Sequence, residues 1–362
     1  MHAGSALKSS LVSLLRSPAD GSPLSLKAQE QAGDEVKLGH LVDRSGNRFP
    51  ILDGVPLFAE DASRDETFSF KWRMIGGSYG YEEKSRIMRQ NWYLERFGFE
   101  TRGDLLDFLK SKPMILDVGT GTGVDAAMFA ESGANVIAID LCLEAALATY
   151  RHLGHLPNVH VLQGDLLRLP FPRSLFQYVS CDQVIHHTPD PARSFAALVP
   201  HLADGGHMAV YAYKRKGPVR EFVDDYLRSH TTQMKAEECY EVCRAITLLG
   251  KALSDLKVQV TIPADIPLLD IKRGSEDVQR FFYWNVMKCF WNDSYDLDTN
   301  TMINFDWYHP KHASRHSPDE VRGWFEKHAL EIVRFKVIPS GVAVLGRLRS
   351  PNPEKSLEAE RA

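Results

Sequence analysis

Two periodicities alternate through the middle of the chain, and together they predict a parallel β-sheet with crossover helices. Short apolar runs rich in β-branched residues predict five strands, at 114–119, 135–141, 159–166, 178–184 and 207–213. Helical patterns separate these runs, since Leu143, Ala146, Leu147 and Tyr150 recur at i, i+3, i+4 and i+7. Strands that alternate with helices are typical of an α/β fold with a doubly wound sheet.

The alternation stops after the fifth strand and resumes near the end of the chain. Residues 214–316 are an insertion rich in Trp, Tyr and Phe, which predicts a helical cap over the carboxyl edge of the sheet, where open α/β sheets bind ligands. A capping box at 317–320 predicts a helix, and two apolar runs at 331–338 and 341–348 predict a closing β-hairpin. The expected sheet therefore has seven strands with the last one antiparallel, and the polar tail at 350–362 is expected to be disordered.

Composition narrows the classes of partner. With 362 residues and 44% hydrophobic content, the chain can bury a large core. Its formal net charge of −4 disfavours nucleic acid and anionic membranes as partners, and no apolar run is long enough to span a bilayer. Five cysteines without a repeated C-x-x-C spacing argue against a disulfide framework and against a metal site. A cytoplasmic monomer or homodimer is expected.

The first predicted strand runs directly into a glycine-rich turn, ILDVGTGTG at 115–123. Gly119, Gly121 and Gly123 allow positive φ angles and a close approach of backbone to a ligand, while the following helix start offers free N–H donors. Asp140 closes the second strand about twenty residues later, where a carboxylate can accept both hydroxyls of a ribose. This arrangement suits a nucleoside cofactor. The dinucleotide fingerprint G-x-G-x-x-G is not completed, because Val124 stands in place of the third glycine.

Four segments in order carry a resemblance to a known family. ILDVGTGTG, the Asp140 end of VIAIDL, QGDLLRLPF and VSCDQVIHHTPDP resemble motifs I, post-I, II/III and IV of class I S-adenosylmethionine-dependent methyltransferases. LADGGHMAVYAY is similar to the strand that follows in that family. The resemblance implies a Rossmann-like core at 113–213 that binds S-adenosylmethionine (SAM), completed by the helix and hairpin at 317–349.

The resemblance also implies roles for individual residues. The glycine turn and Asp117 would contact the methionine moiety, with Asp182 near the same end, and Asp140 would bind the ribose. Asp165 and Leu166 would contact the adenine; for Leu166, as for Leu141, a place in the ordinary core is the alternative. The implied cofactor-binding residues in this core are Asp117, Gly119, Thr120, Gly121, Gly123, Asp140, Leu141, Asp165, Leu166 and Asp182.

Residues 61–112 form a predicted helical segment rich in aromatic residues. Phe70, Lys71 and Trp72, followed by Tyr79 and Tyr81, resemble the aromatic segment that precedes motif I and covers the cofactor in this subgroup. Trp72 and Tyr81 are therefore candidate cofactor contacts, since an aromatic face attracts a sulfonium cation. The alternative is an aromatic helix that only packs on the sheet.

Residues 1–60 resemble a small zinc-ribbon module of the Trm112-like type. In that module two C-x-x-C pairs hold the metal, whereas this chain has Ser17 and Asp20 at the first pair and Val42 and Ser45 at the second. Without thiolates no zinc is expected. We expect a degenerate β module whose role is packing or oligomer contact.

The sequence contains fewer features that indicate how a methyl acceptor would be bound. A hydroxyl or ammonium acceptor must lose a proton, and His186 and His187, just past the fourth strand, are the candidate bases, with Tyr308 in a predicted loop as a third candidate. The alternatives are a turn histidine and a surface loop. The basic run at 214–216 is expected to be a solvated turn.

The favoured hypothesis is methylation of a small molecule, either a specialised metabolite or a saccharide. Three alternatives remain open at this stage. Intramolecular cyclisation of SAM with release of methylthioadenosine requires a nearly sealed pocket with no room for an acceptor. The other two are a non-catalytic SAM-binding partner subunit and an NAD-dependent oxidoreductase, which the incomplete dinucleotide fingerprint disfavours.

Overall fold

The structure is a computed structural model that describes residues 7–33, 35–59, 66–75 and 83–349. Tyr79, Tyr81 and the tail from Ser350 lie outside these residues. The strands are β1 (Leu7–Lys8), β2 (Ser25–Ala32), β3 (Glu35–Val42), β4 (Arg48–Leu52), β5 (Val55–Pro56), β6 (Met114–Val118), β7 (Asn135–Asp140), β8 (Val159–Gln163), β9 (Phe176–Cys181), β10 (Leu202–Tyr213), β11 (Gln259–Ile262), β12 (Gly274–Asp277), β13 (Leu330–Val337) and β14 (Gly341–Leu348). The helices are α1 (Ser9–Val12), α2 (Glu66–Ile75), α3 (Glu83–Phe97), α4 (Arg102–Lys110), α5 (Val124–Ala130), α6 (Leu143–Leu153), α7 (Pro191–Leu198), α8 (Pro218–Thr231), α9 (Ala236–Asp255), α10 (Val278–Asn285), α11 (Leu297–Tyr308) and α12 (Pro318–Lys327).

A seven-stranded sheet in the order β13-β14-β10-β9-β6-β7-β8 forms the centre of the molecule. The strands from β10 to β8 are parallel, and β14 runs antiparallel to both of its neighbours. The strand order changes direction between β6 and β9, so their carboxyl ends diverge and leave a crevice. The α/β Rossmann-like class expected from the sequence is confirmed.

Two of the predicted strands end earlier than expected. The strand β8 stops at Gln163 because the side chain of Asp165 accepts the backbone N–H of Leu167 and starts a short 3-10 helix. The strand β9 stops at Cys181 because Gln183 adopts a left-handed backbone conformation with φ 60°, which strands do not allow. Both strands therefore end in short loops at the carboxyl edge of the sheet.

The core lies on both faces of this sheet, because successive residues of a strand point to opposite sides. Leu116 and Val179 pack on one face with Phe195 of α7 and Phe325 of α12. On the other face, aromatic side chains of α3, α4 and α5 pack against the strands. The predicted capping box at Ser317 is confirmed at the start of α12.

The N-terminal module is a small antiparallel sheet in the order β1-β3-β4-β5, with β2 paired to β3. Asp43 joins its loops: the Ser17 hydroxyl and the Asn47 side-chain amide both donate to Asp43 Oδ2 at 2.8 Å. These hydrogen bonds, that from Asn47 foremost, lower the pKa of the Asp43 carboxyl. A hydrogen-bonded cluster thus lies where the resemblance would place metal ligands. Among the described residues, no group of three His, Cys, Asp or Glu side chains could hold a metal ion.

The insertion after β10 folds into a cap made of α8 to α11 and the β11–β12 hairpin. Its centre is the buried carboxylate of Asp224, which accepts the Arg220 Nε–H and, at 2.9 Å, the indole N–H of Trp307 on one oxygen. The other oxygen accepts the backbone N–H of Lys288 at 3.0 Å and lies 3.0 Å from the Tyr308 hydroxyl. Asp224 therefore ties α8 to α11 and to the segment that follows α10. No helix of the described chain is both long and apolar enough to cross a bilayer.

The contact between α9 and the segment after α10 yields a stability prediction. A Cβ on Gly250 would lie 2.3 Å from the carbonyl oxygen of Cys289, which is backbone and cannot turn away. We expect Gly250→Ala to lower the free energy of unfolding by about 1–3 kcal/mol, because overpacking outweighs the gain in helix propensity. Denaturant titration followed by far-UV circular dichroism measures the change.

Gly323 in α12 is the matched control for this prediction. A Cβ there would meet no atom within 4 Å, so Gly323→Ala should raise stability by up to about 1 kcal/mol. Equal stabilisation by both substitutions would contradict the close contact at Gly250.

Candidate functional site

The glycine turn after β6 exposes bare backbone to the crevice. Gly119, Gly121 and Gly123 have φ angles of 67°, 60° and 86°, a region in which other residues are strained. A Cβ on Gly119 would lie 2.3 Å from Val184, and one on Gly121 would lie 3.0 Å from the Trp72 ring. A Cβ on Gly123 would lie 2.8 Å from Thr149, so all three positions require glycine both for conformation and for space.

Asp140, at the end of β7, holds this turn in place. Its Oδ2 accepts the backbone N–H of Gly121 and its Oδ1 accepts that of Cys142, both at 2.9 Å. Burial raises the pKa of the Asp140 carboxyl to about 6, against the two hydrogen bonds that lower it. The predicted pair of glycine turn and carboxylate is therefore in contact.

A cluster of acidic side chains lies beside the turn. Burial, together with repulsion from neighbouring carboxylates, raises the pKa of Asp117 well above its usual value and that of Asp125 to about 6. Asp182 forms an ion pair with Arg96 of α3, and the side chains are only 3% and 9% exposed. Asp117 Oδ2 and Asp182 Oδ1 are buried and have no hydrogen-bond partner among the described residues. Two such acceptors suit an ammonium group, and the methionine end of SAM carries one.

Helix α2 packs over the glycine turn. Trp72 lies against Gly121, as its distance from a Cβ at that position shows. The adjacent Lys71 makes an ion pair with Asp306 of α11, with 2.8 Å between Nζ and Oδ1. Asp306 keeps a lowered pKa in spite of its burial, because Lys71 and other cations lie near it. This ion pair connects the segment over the glycine turn to the cap.

A single cavity of about 610 Å³ extends from the glycine turn to the cap. This volume lies in the range of about 300–1,000 Å³ that small-molecule sites occupy. Asp117, Gly121, Asp182 and Trp72 line one end, and α8, α10 and α11 line the other. The side chains at the cap end are mainly aromatic or cationic: Tyr213, Lys216, Arg220, Arg280, Tyr283, Trp284, Lys288, Phe290 and Trp307.

The sequence predicted a cap over this edge of the sheet, but none of the residues at the cap end was predicted to belong to the site. Lys216 was expected in a solvated turn, but it lines the cavity and its Nζ donates to the carbonyls of Lys214 and Ser340 at 2.7 and 3.0 Å. That expectation was wrong because α8 begins at Pro218 and α10 packs nearby, which together bury the side chain. The one sequence feature from which the cap end of the cavity could have been predicted is the mixture of basic and aromatic residues at 280–290.

The residues expected at the adenine lie beyond the ends of β7 and β8. Asp165 caps the short helix that follows β8, and Leu166 packs partly against the core. The Leu141 carbonyl accepts the side-chain N–H of Gln163 at 2.9 Å. Gln163 also accepts the backbone N–H groups of Phe58, at its carbonyl, and of Ala59, at its side chain, so the N-terminal module ends at this edge.

The three candidate proton acceptors are placed differently from the expectation, and none lines the cavity. His186 is fully buried and stacks under Tyr213, with 3.5 Å between ring centroids. His187 Nδ1 lies 2.9 Å from the carbonyl oxygen of His312. Tyr308 is the last residue of α11 and not part of a loop, and its hydroxyl lies within 3.0 Å of Asp224 and of the Lys288 carbonyl. These positions do not support direct contact with an acceptor.

Comparison with known proteins gives consistent results. The domain family described as "Methyltransferase domain" matches residues 116–210. The chain is similar to the ubiquinone biosynthesis O-methyltransferase of Rickettsia akari, at 26% identity over 57% of this chain and 83% of the relative. It is also similar to the demethylmenaquinone methyltransferase of Renibacterium salmoninarum, at 27% identity over 31% of this chain and 47% of the relative. Among solved structures, a SAM-dependent methyltransferase from Aquifex aeolicus matches with a TM-score of 0.37 and 14% identity, over 70% of this chain and 92% of that one.

The family match lies on the central sheet and its glycine turn. The chain spans less than half the length of several curated relatives that it matches. The matched residues 116–210 contain β6 to β9, the glycine turn, Asp140 and Asp182. Residues 116–210 of the chain therefore carry a methyltransferase domain.

Proposed function

We propose that this protein transfers a methyl group from SAM to a small-molecule acceptor bound under the cap. The observation that carries the proposal is the single cavity that joins the glycine turn to the cap. A cofactor at the turn would leave its sulfonium facing the rest of the cavity, where an acceptor can lie. Two relatives are named for ubiquinone biosynthesis and for demethylmenaquinone, and these names also favour a small acceptor.

The same cavity favours methyl transfer over the alternative in which SAM cyclises on itself. That reaction needs no second substrate and is best served by a pocket that encloses the cofactor alone. Here the lining continues from Asp182 through Tyr211 and Tyr213 into α8, α10 and α11. A lining of that extent serves a second molecule.

We assign the cofactor contacts as follows. Asp140 would hold the ribose, Asp117 and Asp182 the methionine ammonium, and Trp72 would cover the sulfonium end. Thr120 and the glycines of the turn would approach the cofactor through their backbone. Leu141, Asp165 and Leu166 would border the adenine at the edge where the N-terminal module ends.

Bound SAM supplies a methyl group that is already activated by its sulfonium, so the protein has to orient the acceptor and exclude water. Tyr211 and Tyr213 lie between the two ends of the cavity and would border the path of the methyl group. His186, stacked under Tyr213, would act as a positioning residue and not as a base. Asp306 and Lys71 would keep α2 and the cap together while the reaction takes place.

Asp140→Asn tests the cofactor site. The amide keeps the size of the side chain but offers a neutral acceptor in place of a carboxylate. We expect the affinity for S-adenosylhomocysteine to fall by about 1.5–3 kcal/mol, or roughly 10- to 150-fold, the scale of a charged hydrogen bond. Isothermal titration calorimetry measures it, with Asp204→Asn, an exposed site, as the matched control. An unchanged dissociation constant in Asp140→Asn would remove this residue from the site.

The raised pKa of Asp140 predicts a pH dependence for cofactor binding. Its folded pKa of about 6 lies above the usual value of 3.8, so the carboxylate that accepts the ribose hydroxyls is lost as pH falls through 6. We expect a constant affinity for S-adenosylhomocysteine above pH 7 and a decline below 6 of at most about tenfold per pH unit. In Asp140→Asn any remaining slope belongs to the neighbouring carboxyls Asp117 and Asp125, whose pKa values are also raised. A flat profile in the unmodified protein would contradict this assignment.

The reaction itself is tested by incubating the purified protein with methyl-labelled SAM and a panel of phenolic, quinol and saccharide acceptors. Label transferred to an acceptor together with S-adenosylhomocysteine is the expected result. Release of methylthioadenosine without any acceptor would replace methyl transfer by the cyclisation alternative. Tight binding of NADH with no binding of S-adenosylhomocysteine would overturn both.

A further inference from the structure

Three cations at the cap end of the cavity have no anionic partner. Lys216, Arg280 and Lys288 all line the cavity, and none of them forms an ion pair with a carboxylate within the described parts of the chain. Two other cations at this cavity differ in this respect, because Arg220 is paired with Asp224 and Lys71 with Asp306. The cap end therefore carries an excess of positive charge that the described residues do not neutralise.

Burial makes this excess costly. Lys288 is only 7% exposed, and its Nζ lies 4.9 Å above the Trp307 ring without a hydrogen bond to any described residue. Burial lowers the pKa of Lys288 to about 7; attraction by Asp306 and Asp224 opposes this shift, and repulsion from Arg220 adds to it. The pKa of Lys216 is lowered well below its usual value for the same reasons, and Lys288 adds to the repulsion. An anion between these side chains would relieve both the desolvation and the repulsion.

Flat aromatic side chains surround the cations. Arg280 stacks over Tyr283 and Phe290, with 5.7 and 5.6 Å from its guanidinium carbon to the ring centroids. Lys216 lies 5.9 Å from the Trp284 ring centroid. Such walls favour a planar apolar body, while the three cations select its charged end.

We propose that the acceptor is an aromatic small molecule with an anionic group, a carboxylate or a phosphate, bound by Lys216, Arg280 and Lys288. The inference rests on the proposed function, because it takes the other end of the same cavity as the cofactor site. The ring lies among the aromatic side chains of α10 and α11, and the atom that receives the methyl group points toward the glycine turn. A neutral acceptor of the same shape is rejected, because it leaves the cations desolvated and unpaired.

The test uses the full chain saturated with S-adenosylhomocysteine, so cofactor binding is established before any acceptor is added. Calorimetry then compares 3,4-dihydroxybenzoate with 3,4-dihydroxybenzamide, which differ in charge and hardly in size. We expect the benzoate to bind about tenfold more tightly or better. The affinities of phenyl phosphate and of benzoate are then compared by the same method. The difference shows whether the cations prefer a phosphate or a carboxylate.

Substitutions in the cap test whether its cations cause the preference for the benzoate over the benzamide. Lys288→Met should reduce the benzoate preference to about twofold or less while the affinity for S-adenosylhomocysteine stays unchanged, and Lys288→Arg should keep most of the preference. Thermal melting of each variant verifies the fold. Lys272→Met is the matched control, because this lysine lies on the cap with its side chain 72% exposed.

Several outcomes would overturn the proposal. Equal affinity for the benzoate and the benzamide is one, and failure of all the aromatic anions to bind at millimolar concentration is another. The proposal also fails if Lys272→Met reduces the preference for the benzoate as much as Lys288→Met does. If Lys288→Met weakens S-adenosylhomocysteine instead, the cations serve the carboxylate of the cofactor and the acceptor inference fails. Failure of S-adenosylhomocysteine to bind the unmodified protein is a separate result, which contradicts the proposed function itself.

Discussion

The hydrogen bond from the Gly121 backbone to the Asp140 carboxylate is the contact on which the site depends. It joins the ends of two neighbouring parallel strands and keeps the glycine turn in a conformation with positive φ angles. The carboxylate is buried and carries a raised pKa, so its charge is retained at a cost that the two backbone donors reduce. A ligand that offers hydroxyl donors would reduce this cost further. The conformation of the glycine turn at this end of the cavity thus depends on one carboxylate at the edge of the sheet.

The cap also contains buried charges, and there the unpaired groups are cations instead of carboxylates. Asp224 neutralises Arg220 and accepts hydrogen bonds from α11 and from the segment after α10, so the charges in this part of the cap are balanced. Lys216 and Lys288 stand next to it without such a partner. Buried charges of one sign without counterions are unfavourable in an isolated protein. At the wall of a cavity they are typical of a binding site, because the ligand supplies the missing charge.

Much of the cofactor half could be predicted from sequence, because its signals are local. A strand, a glycine turn and a helix start are adjacent in the chain, and Asp140 follows at a spacing set by one crossover helix. The proton acceptors could not be predicted in this way. His186 and His187 follow β9 at the correct edge of the sheet, yet the short helix at 185–187 carries them beneath Tyr213. The direction in which a side chain points after a strand depends on the backbone conformation of the following turn. The residue types in that turn do not determine its conformation.

The sequence by itself determined the class of fold, the positions of the central strands along the chain and the position of the glycine turn, because periodicity and turn chemistry act over short distances. Only the tertiary structure decided what faces the cavity. Lys216, Arg280 and Lys288 come from three separate parts of the insertion, and nothing in their spacing shows that they meet. Their meeting depends on the packing of α8, α10 and α11 around Asp224. Such packing is a property of contacts between distant segments, which no local pattern encodes.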